Sequence, residues 1–172
     1  MSKKNLHPIP TWMHLDNRPL DKGEWQKYGY GYSRPVTSYE RWRPATRYIR
    51  RQDTKRFKGF SVITLMPGWY YVSDRGRIWC AFSGKIINYR KHKRSRTFLK
   101  SADGSQVRVR QYKLALDNFI EPPDHIKHVV YYLLPIVNHI DNRPYNNRVD
   151  NLQYTNYSGN NEHARLFTKK EK

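Results

Sequence analysis

The pattern of hydrophobic and polar positions changes about a third of the way along the chain. Residues 1–58 carry scattered prolines and tryptophans and show no sustained helical or strand period. From Phe60 to Val109, apolar residues fall in short runs separated by turn sequences such as Pro67-Gly68 and Asp103-Gly104. This spacing predicts a small antiparallel β-sheet with strands at 60–63, 69–73, 77–80, 85–87 and 107–109.

The last third of the chain has a different pattern. Apolar residues at 112–119 are compatible with two helical turns that end at Pro122-Pro123. An apolar strand at 133–137, a polar loop at 141–147 and a return strand at 152–154 follow. Thr155 or Ser158 can then cap a terminal helix that carries Asn160. The predicted order is strand, loop, strand, helix, which makes the whole chain an α+β protein.

The charge of the chain indicates what it binds. Lys and Arg number 33 against 14 Asp and Glu, a formal net charge of +19, and such an excess attracts a polyanion. The 14 Tyr and 5 Trp add flat surfaces that can stack on bases, although many of these rings can equally be core. Nucleic acid is therefore the predicted partner, and the apolar fraction of 37% predicts a small or divided core.

Composition also bears on location. The longest apolar run, 129–137, is far shorter than the roughly 20 residues of a membrane span, and the N-terminus does not resemble a secretory signal. A single cysteine, Cys80, excludes a disulfide framework and a four-cysteine zinc site. We expect a protein of the cytoplasm with no membrane partner; its protein partners are not predicted.

We divide the chain into three parts. Residues 1–58 are expected to form an extended basic arm, in which Arg41, Arg43 and Arg47 alternate with Trp42 and Tyr48 along a phosphate backbone; a solvated linker is the alternative. Residues 59–111 are expected to form a small antiparallel β module that binds the nucleic acid, and residues 112–172 the last domain. Positive side chains of these two parts are predicted to contact phosphates: Arg75, Arg77, Lys85, Arg90, Lys91, Lys93, Arg94, Arg96 and Arg143.

The candidate site centres on His139. Its unperturbed pKa of about 6.5 suits a general base, and the neighbouring Asn138 is a hard oxygen donor. A strand followed by a helix can bring Asn138 and Asn160 together to hold a magnesium-like ion, while Asn151 is placed to brace the loop. Taken alone, these residues are also compatible with an asparagine-rich surface loop and a chance histidine.

A similar sequence occurs near the N-terminus. His14-Leu15-Asp16-Asn17-Arg18-Pro19 nearly repeats His139-Ile140-Asp141-Asn142-Arg143-Pro144. The first copy lacks the downstream asparagines and the helix that would complete a site. We interpret the similarity as chance.

Two motifs in the expected order strengthen the interpretation. The segment from Val137 to Thr155, together with Asn160, resembles the HNH pattern of phage and intron homing endonucleases, in the variant with Asn at the third position. Trp69 to Ile78 and Gly84 to Ile87 are similar to the YxVSxxGRV module that commonly precedes it. The two matches span 60–167, and the segment 1–58 matches neither motif.

The resemblance implies a ββα-metal domain that cleaves double-stranded DNA with one divalent ion, Mg²⁺ first and Mn²⁺ as the alternative. It implies His139 as general base, Asn138 and Asn160 as metal ligands, and Asn151 as the residue that braces the loop. It also implies a phage or mobile-element origin, and hence the cytoplasm of a bacterial host. The competing hypotheses are an HNH-fold nucleic-acid-binding protein with weak or lost catalysis and a structural or packaging role, and an RNA- or ribosome-associated basic protein.

This chain departs from the family pattern at three places. Tyr112-Lys113-Leu114-Ala115-Leu116 stands where His-Arg-Leu-Val-Ala is usual, Asn138 where many members have Asp, and Tyr154 where Trp is common. The first difference bears on DNA contact and the second on metal affinity. The general base is retained.

Overall fold

The computed structural model describes residues 6–32, 34, 36–53, 58–87, 96–121 and 136–170. Within these ranges, six strands precede position 54: β1 (His14–Leu15), β2 (Asp21–Lys22), β3 (Glu24–Gln26), β4 (Gly29–Gly31), β5 (Arg41–Pro44) and β6 (Arg47–Asp53). Six more follow, namely β7 (Lys58–Thr64), β8 (Tyr70–Ser73), β9 (Ile78–Cys80), β10 (Lys85–Ile87), β11 (Arg96–Lys100) and β12 (Gln106–Arg110). The remainder comprises α1 (Gln111–Phe119), β13 (Ile120–Glu121), β14 (Ile136–His139), a 3₁₀ turn (Val149–Asn151), β15 (Leu152–Thr155) and α2 (Tyr157–Lys170). The protein is of the α+β class, as predicted.

The predicted strands of the β module are present, but they belong to three sheets rather than one. β8, β9 and β10 form antiparallel pairs in a five-stranded sheet of order β1-β5-β8-β9-β10. β7 pairs with β6, and β12 pairs with β11. The prediction of one small antiparallel sheet is therefore corrected, because β1, β5 and β6 from the N-terminal part complete two of the three sheets.

The expectation of an extended basic N-terminal arm is not confirmed. β1 pairs in parallel with β5, and β4 pairs with β15 through Tyr30 and Tyr154. Trp42 is fully buried, and the guanidinium groups of Arg41 and Arg43 are also buried, where they pair with acidic side chains. Short strands whose partners lie far along the chain leave no local period, so the pattern of residues could not reveal them.

One hydrophobic cluster includes residues of all three predicted parts of the chain. Tyr48 from the first part, Val72 and Leu99 from the second, and Leu116 and Tyr154 from the third pack together. The phenolic hydroxyl of Tyr154 donates a 2.6 Å hydrogen bond to Asp117 of α1. This shared core connects the three parts. The division into three domains stays a prediction.

The C-terminal part follows the predicted order of strand, loop, strand and helix. β14 and β15 form an antiparallel hairpin, and β4 and β3 extend it to a sheet of order β14-β15-β4-β3. The first part of the predicted strand at 133–137, residues 133–135, lies outside the described residues. In the described part of the chain, neither helix is long and apolar enough to cross a membrane.

The two similar sequences adopt the same local turn. The Asp16 carboxylate accepts a hydrogen bond from the backbone N–H of Arg18, and Asp141 accepts one from the N–H of Arg143. An aspartate that binds the backbone two residues ahead forms an Asx turn. The shared sequence therefore has a local structural role in both copies.

Candidate active site

The β14–β15 hairpin separates two sets of side chains. His139 lies opposite Leu152, and Asn138 lies opposite Gln153. Because successive strand residues point to opposite faces, His139 lies on the face directed to α1, where its ring contacts Tyr112. Asn138 and Gln153 lie on the other face, so the predicted base and the predicted ligand project from opposite sides of one strand.

His139 is held by Asn147, an amide of the polar loop to which the sequence analysis assigned no role. Its Nε2–H donates to Oδ1 of Asn147 at 3.1 Å, and Asn147 is 4% exposed. An amide oxygen only accepts, so the neutral ring carries its proton on Nε2 and keeps a lone pair on Nδ1. Burial lowers the pKa of His139, outweighing the opposing effects of Asn147 and Asp141, and the ring is neutral at pH 7. This is the protonation state that a general base requires.

Asn138 is a buried side chain with unused hydrogen-bonding capacity. It is 6% exposed, and its Nδ2 has no partner among the described residues. Gln153, its cross-strand neighbour, is 1% exposed and leaves Nε2 without a partner in the same part of the molecule. Buried polar groups are normally satisfied, so two adjacent orphaned N–H donors indicate a place where an acceptor, such as a water molecule or a phosphate oxygen, completes the bonding.

Helix α2 packs against this hairpin and carries Asn160. The Nε2–H of His163 donates to the carbonyl of Ile140 at 3.0 Å, which fixes the helix beside the end of β14. Asn160 precedes His163 by three residues, about 4.5 Å along the axis and on the same side of the helix. Asn138 precedes Ile140 by about 6.6 Å of strand. Asn160 therefore lies toward the same end of the hairpin as Asn138, and a shared ion between the two side chains stays a prediction.

The donor set available to a metal is neutral. No group of three or more His, Cys, Asp or Glu side chains that could hold an ion occurs within the described ranges. Asn138 and Asn160 offer amide oxygens, which suit a hydrated magnesium-like ion but bind it weakly without added negative charge. The residues fit such an ion on the condition that a phosphate supplies that charge.

Asn151 connects the two ends of the polar loop. Its Oδ1 accepts from the N–H of Asp141 at 3.0 Å, and its Nδ2 donates to the Asp141 carboxylate at 2.9 Å and to the Asn146 carbonyl at 2.8 Å. These three bonds occupy its polar atoms. They are the contacts expected of a loop-bracing residue, and its contribution to activity stays a prediction.

Several of the predicted DNA-contacting side chains can be located. Arg75 and Arg77 are exposed in the turn between β8 and β9; Arg75 donates to the Ser38 carbonyl at 2.7 Å, and Arg77 pairs with Glu40. Lys85, Arg96 and Arg143 are exposed. The remaining four, Arg90, Lys91, Lys93 and Arg94, lie outside the described residues.

A basic surface on β11 and β12 was largely missed by sequence reasoning. The pairs Arg96–Arg110, Phe98–Arg108 and Lys100–Gln106 share one face of this hairpin, which we call the basic ribbon. Phe98 is 63% exposed, whereas Leu99, Val107 and Val109 on the opposite face are buried. The alternation of polar and apolar residues at 106–110 was the available signal. Arg96 and Arg110 lie directly opposite each other and repel, so a bound anion would stabilise this face.

Comparisons with known proteins identify one structural likeness. No protein-family model and no curated protein matches the chain. One solved structure that does match is described as "DNA binding and cleavage by the HNH homing endonuclease I-HmuI", with 23% sequence identity and a TM-score of 0.49. The alignment covers 60% of this chain and 55% of that chain. A likeness of this strength carries no functional argument, so the residues of this chain have to support the assignment.

Proposed function

We propose that this protein is a metal-dependent endonuclease that hydrolyses phosphodiester bonds of double-stranded DNA, with His139 as general base and Asn138 and Asn160 as metal ligands. The observation that carries the proposal is the state of His139: its Nε2–H is committed to Asn147, its pKa is lowered, and Nδ1 keeps its lone pair. A partly buried neutral imidazole held this way is suited to take a proton from water.

The position of β14 supports an in-line reaction. Among the described strands of its sheet, β14 is at the edge, so a phosphate can approach along its outer side. In an in-line displacement the attacking water and the departing oxygen are on opposite sides of phosphorus. His139 and Asn138 project from opposite faces of β14. His139 can therefore act on the attacking water, while Asn138 faces the side of the departing oxygen.

Asn138 and Asn160 would hold the divalent ion, Mg²⁺ first and Mn²⁺ as the alternative. When bound, such an ion neutralises charge on the phosphate and on the departing oxygen. The buried Nδ2 of Asn138 and Nε2 of Gln153 are donors that can meet oxygens of the incoming phosphate. Asn151 keeps the loop that carries Asn147 folded, through Asp141 and the Asn146 carbonyl.

Double-stranded DNA as the substrate is supported by charge and shape. The net charge of +19 favours a polyanion, and a two-stranded ribbon fits the major groove of B-DNA. The basic ribbon ends at Arg110, directly before α1, whose Tyr112 contacts His139. A duplex held on the ribbon is therefore close to the candidate site. A single site of this kind is expected to nick one strand.

A second candidate is a DNA-binding protein of the same fold without efficient catalysis. The observation in its favour is the neutral donor set, since neither Asn138 nor Asn160 brings negative charge to the ion. Both candidates predict DNA binding that weakens steeply with salt. They differ in cleavage alone.

The test is nicking of supercoiled plasmid with Mg²⁺ or Mn²⁺, repeated with EDTA and with His139→Ala. The matched control is His14→Ala, which removes the exposed histidine of the other similar sequence. We expect metal-dependent nicking by the wild type and the control, and a rate lower by about 10²–10⁴-fold in His139→Ala. Equal nicking by His139→Ala would refute the assigned base. DNA binding by all variants without cleavage of any substrate, including genomic DNA of a host, would favour the second candidate.

A further inference from the structure

The side chain that holds His139 is itself held by a distant part of the chain. Asn147 packs against the turn Ser73–Arg77 between β8 and β9, which we call the 73–77 turn. A Cβ atom placed on Gly76 would lie 2.5 Å from Cβ of Asn147 and 2.8 Å from its carbonyl oxygen. Only glycine permits so close an approach, and Gly76 also has a φ of +77°, which favours glycine.

A backbone hydrogen bond connects the same two segments. The N–H of Val149 donates to the carbonyl of Asp74 at 2.9 Å. Asn147 thus contacts the 73–77 turn on one side and His139 on the other. Contacts through the backbone and a glycine are short and allow little adjustment.

The 73–77 turn is well ordered by its own bonds. The Ser73 hydroxyl oxygen accepts from the N–H groups of Arg75 and Arg77, at 3.3 and 2.9 Å. The carboxylate of Asp74 is fully buried and accepts from Nε of Arg41 at 3.1 Å. The turn therefore provides a fixed surface against which Asn147 can be placed.

We propose that Asn147 is a positioning residue for His139, and that the 73–77 turn, through Gly76, sets the position of Asn147. The Oδ1 of Asn147 keeps the imidazole proton on Nε2 and points Nδ1 at the reacting water. This inference rests on the proposed role of His139 as base. It gives Ser73 and Gly76 of the upstream motif a function in the site itself, in addition to any contact with DNA.

A nuclear magnetic resonance experiment on the full chain tests the inference without DNA or metal. Long-range ¹H–¹⁵N correlations of the imidazole rings at about pH 8.5, above the ordinary histidine pKa of about 6.5, report which nitrogen carries the proton. The resonances of His139 are those missing from His139→Ala. We expect the Nε2–H form in the wild type and in Asn147→Asp, which keeps an acceptor, and a mixture of forms in the nearly isosteric Asn147→Leu.

A pair of glycine variants tests the part played by the turn. Gly76→Ala should give the same mixture of Nε2–H and Nδ1–H forms of His139 that we expect in Asn147→Leu. Gly104→Ala is the matched control, because Gly104 has a φ of +85° but nothing within 4 Å of an added Cβ; it should keep the Nε2–H form. If Gly76→Ala keeps the wild-type form, the turn does not position Asn147.

Other results decide the role of Asn147. An Nδ1–H form in the wild type, or an unchanged form in Asn147→Leu, would overturn it. If the Leu variant does not fold, the wild type and Asn147→Asp still decide, since Nδ1–H in either contradicts the inference.

In the nicking assay, Asn147→Leu should lower kcat by about 10–100-fold with DNA affinity unchanged. The expected Nε2–H form of His139 without any nicking would contradict the proposed function but not the inference that Asn147 positions His139.

Discussion

The Gly76→Ala substitution offers a quantitative test of the contact between the upstream turn and the site loop. Left-handed backbone costs a residue with a Cβ about 1–2 kcal/mol. Alanine also lowers the conformational entropy of the unfolded chain, which offsets about 0.4–1 kcal/mol of this cost. The overlap with Asn147, at 2.5 and 2.8 Å, adds an overpacking cost of about 1–3 kcal/mol. We therefore expect Gly76→Ala to lower the free energy of unfolding by about 2–4 kcal/mol.

Gly104→Ala isolates the steric part of this cost. Its φ of +85° imposes a similar backbone penalty, but the added methyl group meets nothing within 4 Å. We expect Gly104→Ala to lower the free energy of unfolding by about 1 kcal/mol or less. The difference between the two variants, about 2 kcal/mol, is the contribution of the contact with Asn147.

Urea unfolding of both variants, followed by tryptophan fluorescence, measures this difference. A difference of about 2 kcal/mol corresponds to roughly 4–8 °C in Tm for a domain of this size. Equal destabilisation by the two substitutions would refute the reasoning, because it would mean that Gly76 and Asn147 are not in contact.

Three further predictions concern the core, the DNA surface and the metal. Tyr154→Phe removes the buried hydrogen bond to Asp117 and should cost about 2 kcal/mol in urea unfolding, whereas Tyr39→Phe at an exposed ring should change stability by less than about 0.5 kcal/mol; equal effects would show that the Asp117 bond contributes nothing. Arg108→Ala on the basic ribbon should reduce the slope of log affinity against log salt by about 1 in DNA titrations, and an unchanged slope would remove the ribbon from the DNA-binding surface. Asn138→Asp should lower the Mg²⁺ concentration for half-maximal nicking by about tenfold, because a carboxylate adds charge to the donor set, and no change would argue against Asn138 as a ligand.

The hairpins and helices of the second and third parts were predictable because their signals are local. Alternating apolar residues between turn sequences marked β8, β9 and β10, and an apolar helix followed by Pro122-Pro123 marked α1. Each of these elements pairs with, or ends at, residues close along the chain. β1 and β4 gave no such signal, since they pair with β5 and β15, which lie elsewhere along the chain. β3 and β6 were also missed, although they pair with their neighbours β4 and β7.

The chemistry of the site divides in the same way. The identities and spacings of His139, Asn151 and Asn160, together with the upstream motif, predicted a base, a brace and a helix-borne donor. Their surroundings could not be predicted: the lowered pKa of His139, the orphaned amides on the opposite face and the role of Asn147 all depend on burial and on segments that meet only in the folded chain.

The sequence by itself therefore determined the α+β class and the basic character, and it supplied the candidate residues of the proposed site, because composition and short-range pattern contain that information. Only the tertiary structure decided that strands of the N-terminal part complete the sheets, and that Gly76 supports Asn147 and through it His139. Those contacts join segments far apart along the chain, as Gly76 and Asn147 or Tyr30 and Tyr154 show. No local pattern of polar and apolar residues specifies which distant segment a strand or a glycine will meet.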